Sequence, residues 1–218
     1  LVMRVLSGFA VLLTLAACGG GGGTLTASTA PTGPQALLDN IADANRIGQL
    51  ILLNNGSNQA ALTAEGATPV TFNGVMILDE AANAPSGAYY GDMTAIVNFN
   101  ASTLNGSANN FVYFDDSGPS TVGTPVGGTL GLASTVVAPD NPNTQVRDEF
   151  NVDVTGSLDL VGTGTTAVSS SSVGGAFAGP TAAGTAPFDT ASDVQWFAGR
   201  GTTTFGSQTL ETLIVGER

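Results

Sequence analysis

From about Pro69 onward the apolar residues of this chain alternate with polar ones every second position, and this period constrains the fold more than any other feature. The clearest case is Phe150 to Gly162, where Val152, Val154 and Leu158 lie near one face against Asp153, Thr155 and Asp159. Tyr89 to Asn100 repeats the pattern, with Met93, Ala95, Val97 and Phe99 on one side. Val70 to Leu78, Leu104 to Phe114, Gly127 to Val137, Val173 to Ala178, Val194 to Phe205 and Leu210 to Val215 are further strands rich in Val, Thr and aromatic residues, which suit a pleated, half-buried surface. Gly, Asn, Asp and Ser separate them as turn formers. Short strands in this spacing predict an all-β fold, an antiparallel barrel or sandwich. Phe99 to Leu104 and Phe205 to Leu210 echo each other, which predicts two hairpins, each with a strand ending in Phe, a three-residue turn and a Thr-Leu restart.

The first third of the chain has a different character. Residues 35–53 place Leu37, Leu38, Ile41, Ala44 and Ile47 near helical spacing, and Thr32-Gly33-Pro34-Gln35 reads as a capping box with proline near the first turn. A short N-terminal α-helix over 35–53, its apolar face packed on the rest of the domain, is expected. Residues 18–34 begin with Cys18 and a run of glycines and continue in Thr, Ala and Ser, the composition of a flexible tether. Residues 1–17 combine Arg4 with an apolar stretch from Val5 to Leu15 that is too short to cross a bilayer as a stable helix. Leu15-Ala16-Ala17-Cys18 follows, and the whole stretch resembles a bacterial lipoprotein signal with its lipobox. The resemblance implies export, cleavage before Cys18, and lipid on the Cys18 thiol. One acyl chain holds a protein reversibly, and two or three hold it firmly. Gly19 in place of Asp favours the outer membrane as the destination.

Composition restricts the chemistry. The chain has no histidine and no lysine, a single cysteine, and a formal net charge of −12. Without His or a free thiol there is no Ser-His-Asp triad and no Cys-His pair, and the usual zinc and copper ligands are missing. Catalysis is therefore not expected, and neither is a cofactor. The acidic surface repels phosphate backbones, so nucleic acid is not an expected partner, and it repels anionic headgroups, so membrane attachment falls to the lipid on Cys18. Asp115 to Gly118 and Asp140 to Asn143 are oxygen-rich, as a calcium loop would be. Neither has the spacing of an EF-hand, and both read as ordinary turns, so no metal site is assigned. Asp148-Glu149 beside Arg147 reads as a solvated strand start. Tyr89, Tyr90, Phe111, Tyr113, Phe114 and Trp196 hold much of the aromatic area, and within strands such residues are core before they are anchors. Trp196, Phe197 and Arg200 are the candidate binding residues, because an exposed aromatic beside a cation is what protein interfaces use.

The order of these elements resembles the β-barrel domain of transferrin-binding protein B and related surface lipoproteins. Gly87 to Gly106 (GAYYGDMTAIVNFNASTLNG), Val173 to Pro180 (VGGAFAGP) and Thr209 to Arg218 (TLETLIVGER) carry the resemblance, over roughly residues 65–218. Thr181 to Ala186 departs from the acidic, glycine-rich continuation usual in that family, and there is no room for two lobes. The resemblance implies one antiparallel up-and-down barrel of about eight strands at 65–218. It also implies a non-catalytic module that binds a protein or a nutrient carrier, and a monomer is expected. The alternative is a structural envelope lipoprotein, or a small-ligand barrel, facing the periplasm.

Overall fold

The computed structural model describes residues 68–80, 87–115, 123–134, 150–178 and 194–218. They form nine strands: β1 Val70–Asp79, β2 Gly87–Asn98, β3 Thr103–Asp115, β4 Thr124–Val126, β5 Gly128–Ser134, β6 Phe150–Leu160, β7 Gly164–Ala178, β8 Trp196–Phe205 and β9 Gln208–Glu217. Each pairs antiparallel with its neighbours. The last strand returns to the first through Val75↔Val215, which closes the sheet on itself. β4 and β5 both pair with β3 and share one place in the wall, so the barrel has eight positions. Closure pairs β1 with β9 and so removes the long open edges that are the usual template for strand-to-strand aggregation. The all-β barrel expected from the alternation is present, and no helix occurs among the described residues. The helix expected at 35–53, the tether at 18–34 and the signal at 1–17 lie outside them.

Alternation sorts the side chains. On β6, Phe150, Val152, Val154, Leu158 and Leu160 are buried, while Asn151, Asp153 and Thr155 face water. A lipid-spanning barrel puts its apolar residues outside and its polar ones inside; β6 has the opposite sense. The lumen is filled with side chains. Phe72, Phe99, Phe150, Phe177 and Phe197 meet in a chain of tilted and edge-to-face ring pairs, with centroids 5.0–6.2 Å apart. Glycine makes room for these rings: a Cβ at Gly216 would overlap the ring of Phe197. Thr203 and Thr212 also point inward, and the Thr212 hydroxyl donates to Thr203 Oγ1 at 2.8 Å, so both polar groups are satisfied.

Three irregularities bend the wall, one of them a shift between Val168 and Ser170 in the β7–β8 ladder. The β2–β3 ladder shifts between Tyr90 and Asp92, opposite Asn110, which has φ 54°. Asn tolerates this left-handed conformation better than most residues. The β6–β7 ladder shifts between Val152 and Ser157. There the Ser171 hydroxyl accepts from the Val154 amide at 2.6 Å and donates to its carbonyl at 3.3 Å, standing in for a backbone partner.

The echoing hairpins are both present, but their turns differ. Asn98↔Thr103 closes a four-residue turn that ends in Ser102 at φ 54°, whereas Phe205↔Gln208 closes a two-residue turn that begins with Gly206 at φ 58°.

Candidate functional site

Cys18 lies outside the described residues. The other three candidates stand on β8 and divide between its two faces. Phe197 points into the lumen, is fully buried, and belongs to the aromatic core. Trp196 and Arg200 are four positions apart and both point outward. Trp196 is only 8% exposed, and its indole Nε1 donates to Glu217 Oε1 at 2.9 Å. Arg200 is open to solvent, with Nη2 on Glu211 Oε2 at 3.2 Å. An exposed pair of this kind contributes about 0–1 kcal/mol, so Arg200 remains able to exchange Glu211 for another carboxylate. The sequence neighbours Trp196 and Phe197 therefore do not form one patch. The patch that does exist runs sideways, across strands.

That patch lies on the outer wall. Val75 of β1, Ala88 and Tyr90 of β2, Val112 and Phe114 of β3, Ala176 of β7, Trp196 of β8 and Val215 of β9 are all buried. Ile77, Ala198 and Leu213 are partly buried against them. Their registers join in rows, Ala176–Ala198–Val215–Val75 and Leu213–Ile77–Tyr90–Val112. Tyr90 and Phe114 pack edge to face with centroids 5.7 Å apart. The local sequence explains the patch: Val75-Met76-Ile77-Leu78, Phe111-Val112-Tyr113-Phe114 and Leu213-Ile214-Val215 are continuous apolar runs, and strands buried on both faces read this way.

A second cluster closes one end of the lumen. Glu80, just past β1, is nearly buried. Its Oε1 accepts from Tyr89 OH at 3.1 Å and from Gln208 Nε2 at 3.0 Å, and its Oε2 accepts from Tyr113 OH at 3.3 Å. Tyr89 OH in turn accepts from the Val161 amide at 3.0 Å, in the turn between β6 and β7. Three neutral donors thus hold one carboxylate, and the cluster ties β1, β2, β3 and β9 to the opposite side of the barrel. Burial, aided by the nearby Glu80 charge, pushes the Tyr89 phenol well above its ordinary value, so it stays protonated and keeps donating. Nothing in the local sequence separates Glu80 from Asp79; only the fold turns one inward. Asp92, outside on β2, is also raised by burial, an effect partly offset by Asn110 Nδ2 donating to it at 3.1 Å.

Among the described residues, no group of three or more His, Cys, Asp or Glu side chains comes together in a way that could hold a metal. Comparison with protein-family models, curated proteins and solved structures returns no match. The chemistry on view is that of shape and contact: an apolar outer stripe, a solvent-facing cation beside it, and a lumen filled by its own side chains.

Proposed function

We propose that this chain is a lipid-anchored lipoprotein of the bacterial outer membrane, held by lipid on Cys18, whose transferrin-binding protein B-like barrel binds a protein or nutrient carrier without catalysis. The filled lumen is the observation that carries this reading. A barrel that holds a small ligand needs interior space, and here Phe72, Phe150, Phe177 and Phe197 occupy the centre. Recognition then falls to the outer wall and the loops. The closed antiparallel barrel is the architecture that the family resemblance implies. The lipobox supports the anchor, and the acidic, lysine-free composition supports a protein partner over a nucleic acid.

Protease shaving of intact cells, with a periplasmic protein as control, tests the placement. Loss of this protein with the control intact supports a surface receptor. Survival of both contradicts it and favours the periplasm-facing structural role. A Cys18→Ser variant that still partitions with membranes would contradict the anchor.

A further inference from the structure

Glu80 is held by groups whose places do not depend on it. Tyr89 and Tyr113 face each other across the β2–β3 ladder, with ring centroids 4.8 Å apart. Tyr89 is fully buried, and its hydroxyl is also fixed by the Val161 amide. The Tyr113 hydroxyl lies against the spot where a Cβ on Gly87 would stand, so the glycine makes its place. Gln208 opens β9 and pairs with Phe205 across the turn. Ladders and packing therefore aim two hydroxyls and an amide at one point near the end of the lumen. The bond lengths agree. A hydroxyl drawn freely to a carboxylate settles at about 2.5–2.7 Å, whereas the Tyr89 and Tyr113 hydroxyls stand 3.1 and 3.3 Å from the Glu80 oxygens. Such lengths mark donors held by the fold and an acceptor limited by its own backbone.

We propose that Tyr89, Tyr113 and Gln208 form a carboxylate-binding site at this end of the barrel, which the chain fills with Glu80 as a tethered ligand and which takes a small aliphatic monocarboxylate once Glu80 is out of it. Two of the donors converge on one oxygen of Glu80 and the third reaches the other, which is the demand of a planar carboxylate. Chloride, a single atom, cannot stand at both oxygen positions. The site opens toward solvent, because Tyr113 and Gln208 are partly exposed and Glu80 itself keeps 7% of its surface. Glu80 is the part least held by the wall. It stands past the last β1–β2 pair, Asp79↔Ala88, and its amide donates to the Gly87 carbonyl at 2.9 Å as the ladder ends. The site lies apart from the outer wall, to which protein recognition is assigned above, and does not depend on that assignment.

The full chain carrying Glu80→Ala provides the test, because the side-chain atoms it loses are those of acetate. Its melting is followed at neutral pH in sodium acetate and in sodium chloride of equal ionic strength. Acetate at a few times its Kd should raise the melting temperature by about 2–4 °C over chloride. The unaltered chain should show no such difference, since Glu80 occupies the site, and Tyr113→Phe added to Glu80→Ala should reduce the shift. Equal melting of Glu80→Ala in the two salts would overturn the proposal. An equal acetate shift in the unaltered chain would also overturn it, because acetate would then act elsewhere. Should Glu80→Ala fail to fold in chloride, folding restored by acetate supports the site. Failure in both salts refutes it, because the donors would then need Glu80 to stand in place. Nuclear Overhauser contacts from the acetate methyl locate the ligand: contacts to the Tyr89 or Tyr113 ring protons are expected, and contacts to other residues alone would contradict the site.

Discussion

Across β6 and the adjoining part of β7, the outward residues are Asn151, Asp153, Thr155 and Ser172, all exposed. Across the middle of β9 and β1 they are Val215 and Val75, both buried, and Leu213 and Ile77, both partly buried. The lumen side of both regions is the same, a continuous apolar core. One wall therefore serves two purposes. The β6–β7 side faces water on its outer surface, and β6 alternates from Phe150 to Thr155. The β9–β1 side carries apolar side chains on both faces, and its strands lose their alternation.

Charge separates the two sides most sharply. Val215→Asp should destabilise by about 3–5 kcal/mol, the cost of an uncompensated buried charge, while Thr155→Asp should stay within about 0.5 kcal/mol. Urea unfolding of the two variants measures both, and equal effects would erase the distinction. Truncation within one strand is the next sharpest comparison. Tyr90 and Ile96 both point outward from β2, but only Tyr90 is buried. Tyr90→Ala should cost about 3 kcal/mol and Ile96→Ala less than about 1 kcal/mol.

The end cluster should respond more weakly. Glu80→Gln keeps the volume but turns part of an acceptor into a donor facing Tyr89, Tyr113 and Gln208, and should cost about 1–3 kcal/mol. The smallest effect is on pH. The Tyr89 phenol has its value raised by burial, so its contribution is fully present below the ordinary tyrosine value of 10.0. As pH rises past that point the unfolded chain releases the proton while the folded chain retains it, and stability falls by at most about 1.4 kcal/mol per pH unit from this group. Tyr89→Phe should flatten that alkaline slope while lowering stability at neutral pH through the lost bonds to Glu80 and Val161. An unchanged slope would place the phenol in water.

Much of the barrel is legible in the sequence, because a half-buried strand must alternate; β6 could be read from Val152, Val154 and Leu158 alone. The first half of β7 could not. Gly164 to Ser172 is Thr- and Ser-rich and mostly exposed, so it carries no apolar period and resembles a loop. It is a strand because its partners on β6 and β8 supply the ladder. β4 hides behind Pro125, which cannot donate to a ladder and marks a short piece beside the Gly127 break. The candidate site was less legible. Trp196 and Phe197 are adjacent in sequence and so must face opposite ways in a strand, while the cluster to which Trp196 belongs draws on five other strands. Glu80 meets its partners at separations of up to 128 residues, beyond the reach of any local pattern.

The most direct test of the two-sided wall is methyl NMR with a water-soluble gadolinium reagent, which broadens signals near solvent. The account predicts that the Val75 and Val215 methyls are as protected as those of Leu210 and Ile214 inside the lumen, while Ile96 and Val161 are broadened. Val75 and Val215 broadened alongside Ile96 would mean that the outer apolar stripe lies open to water, and the central distinction between the two sides would be wrong.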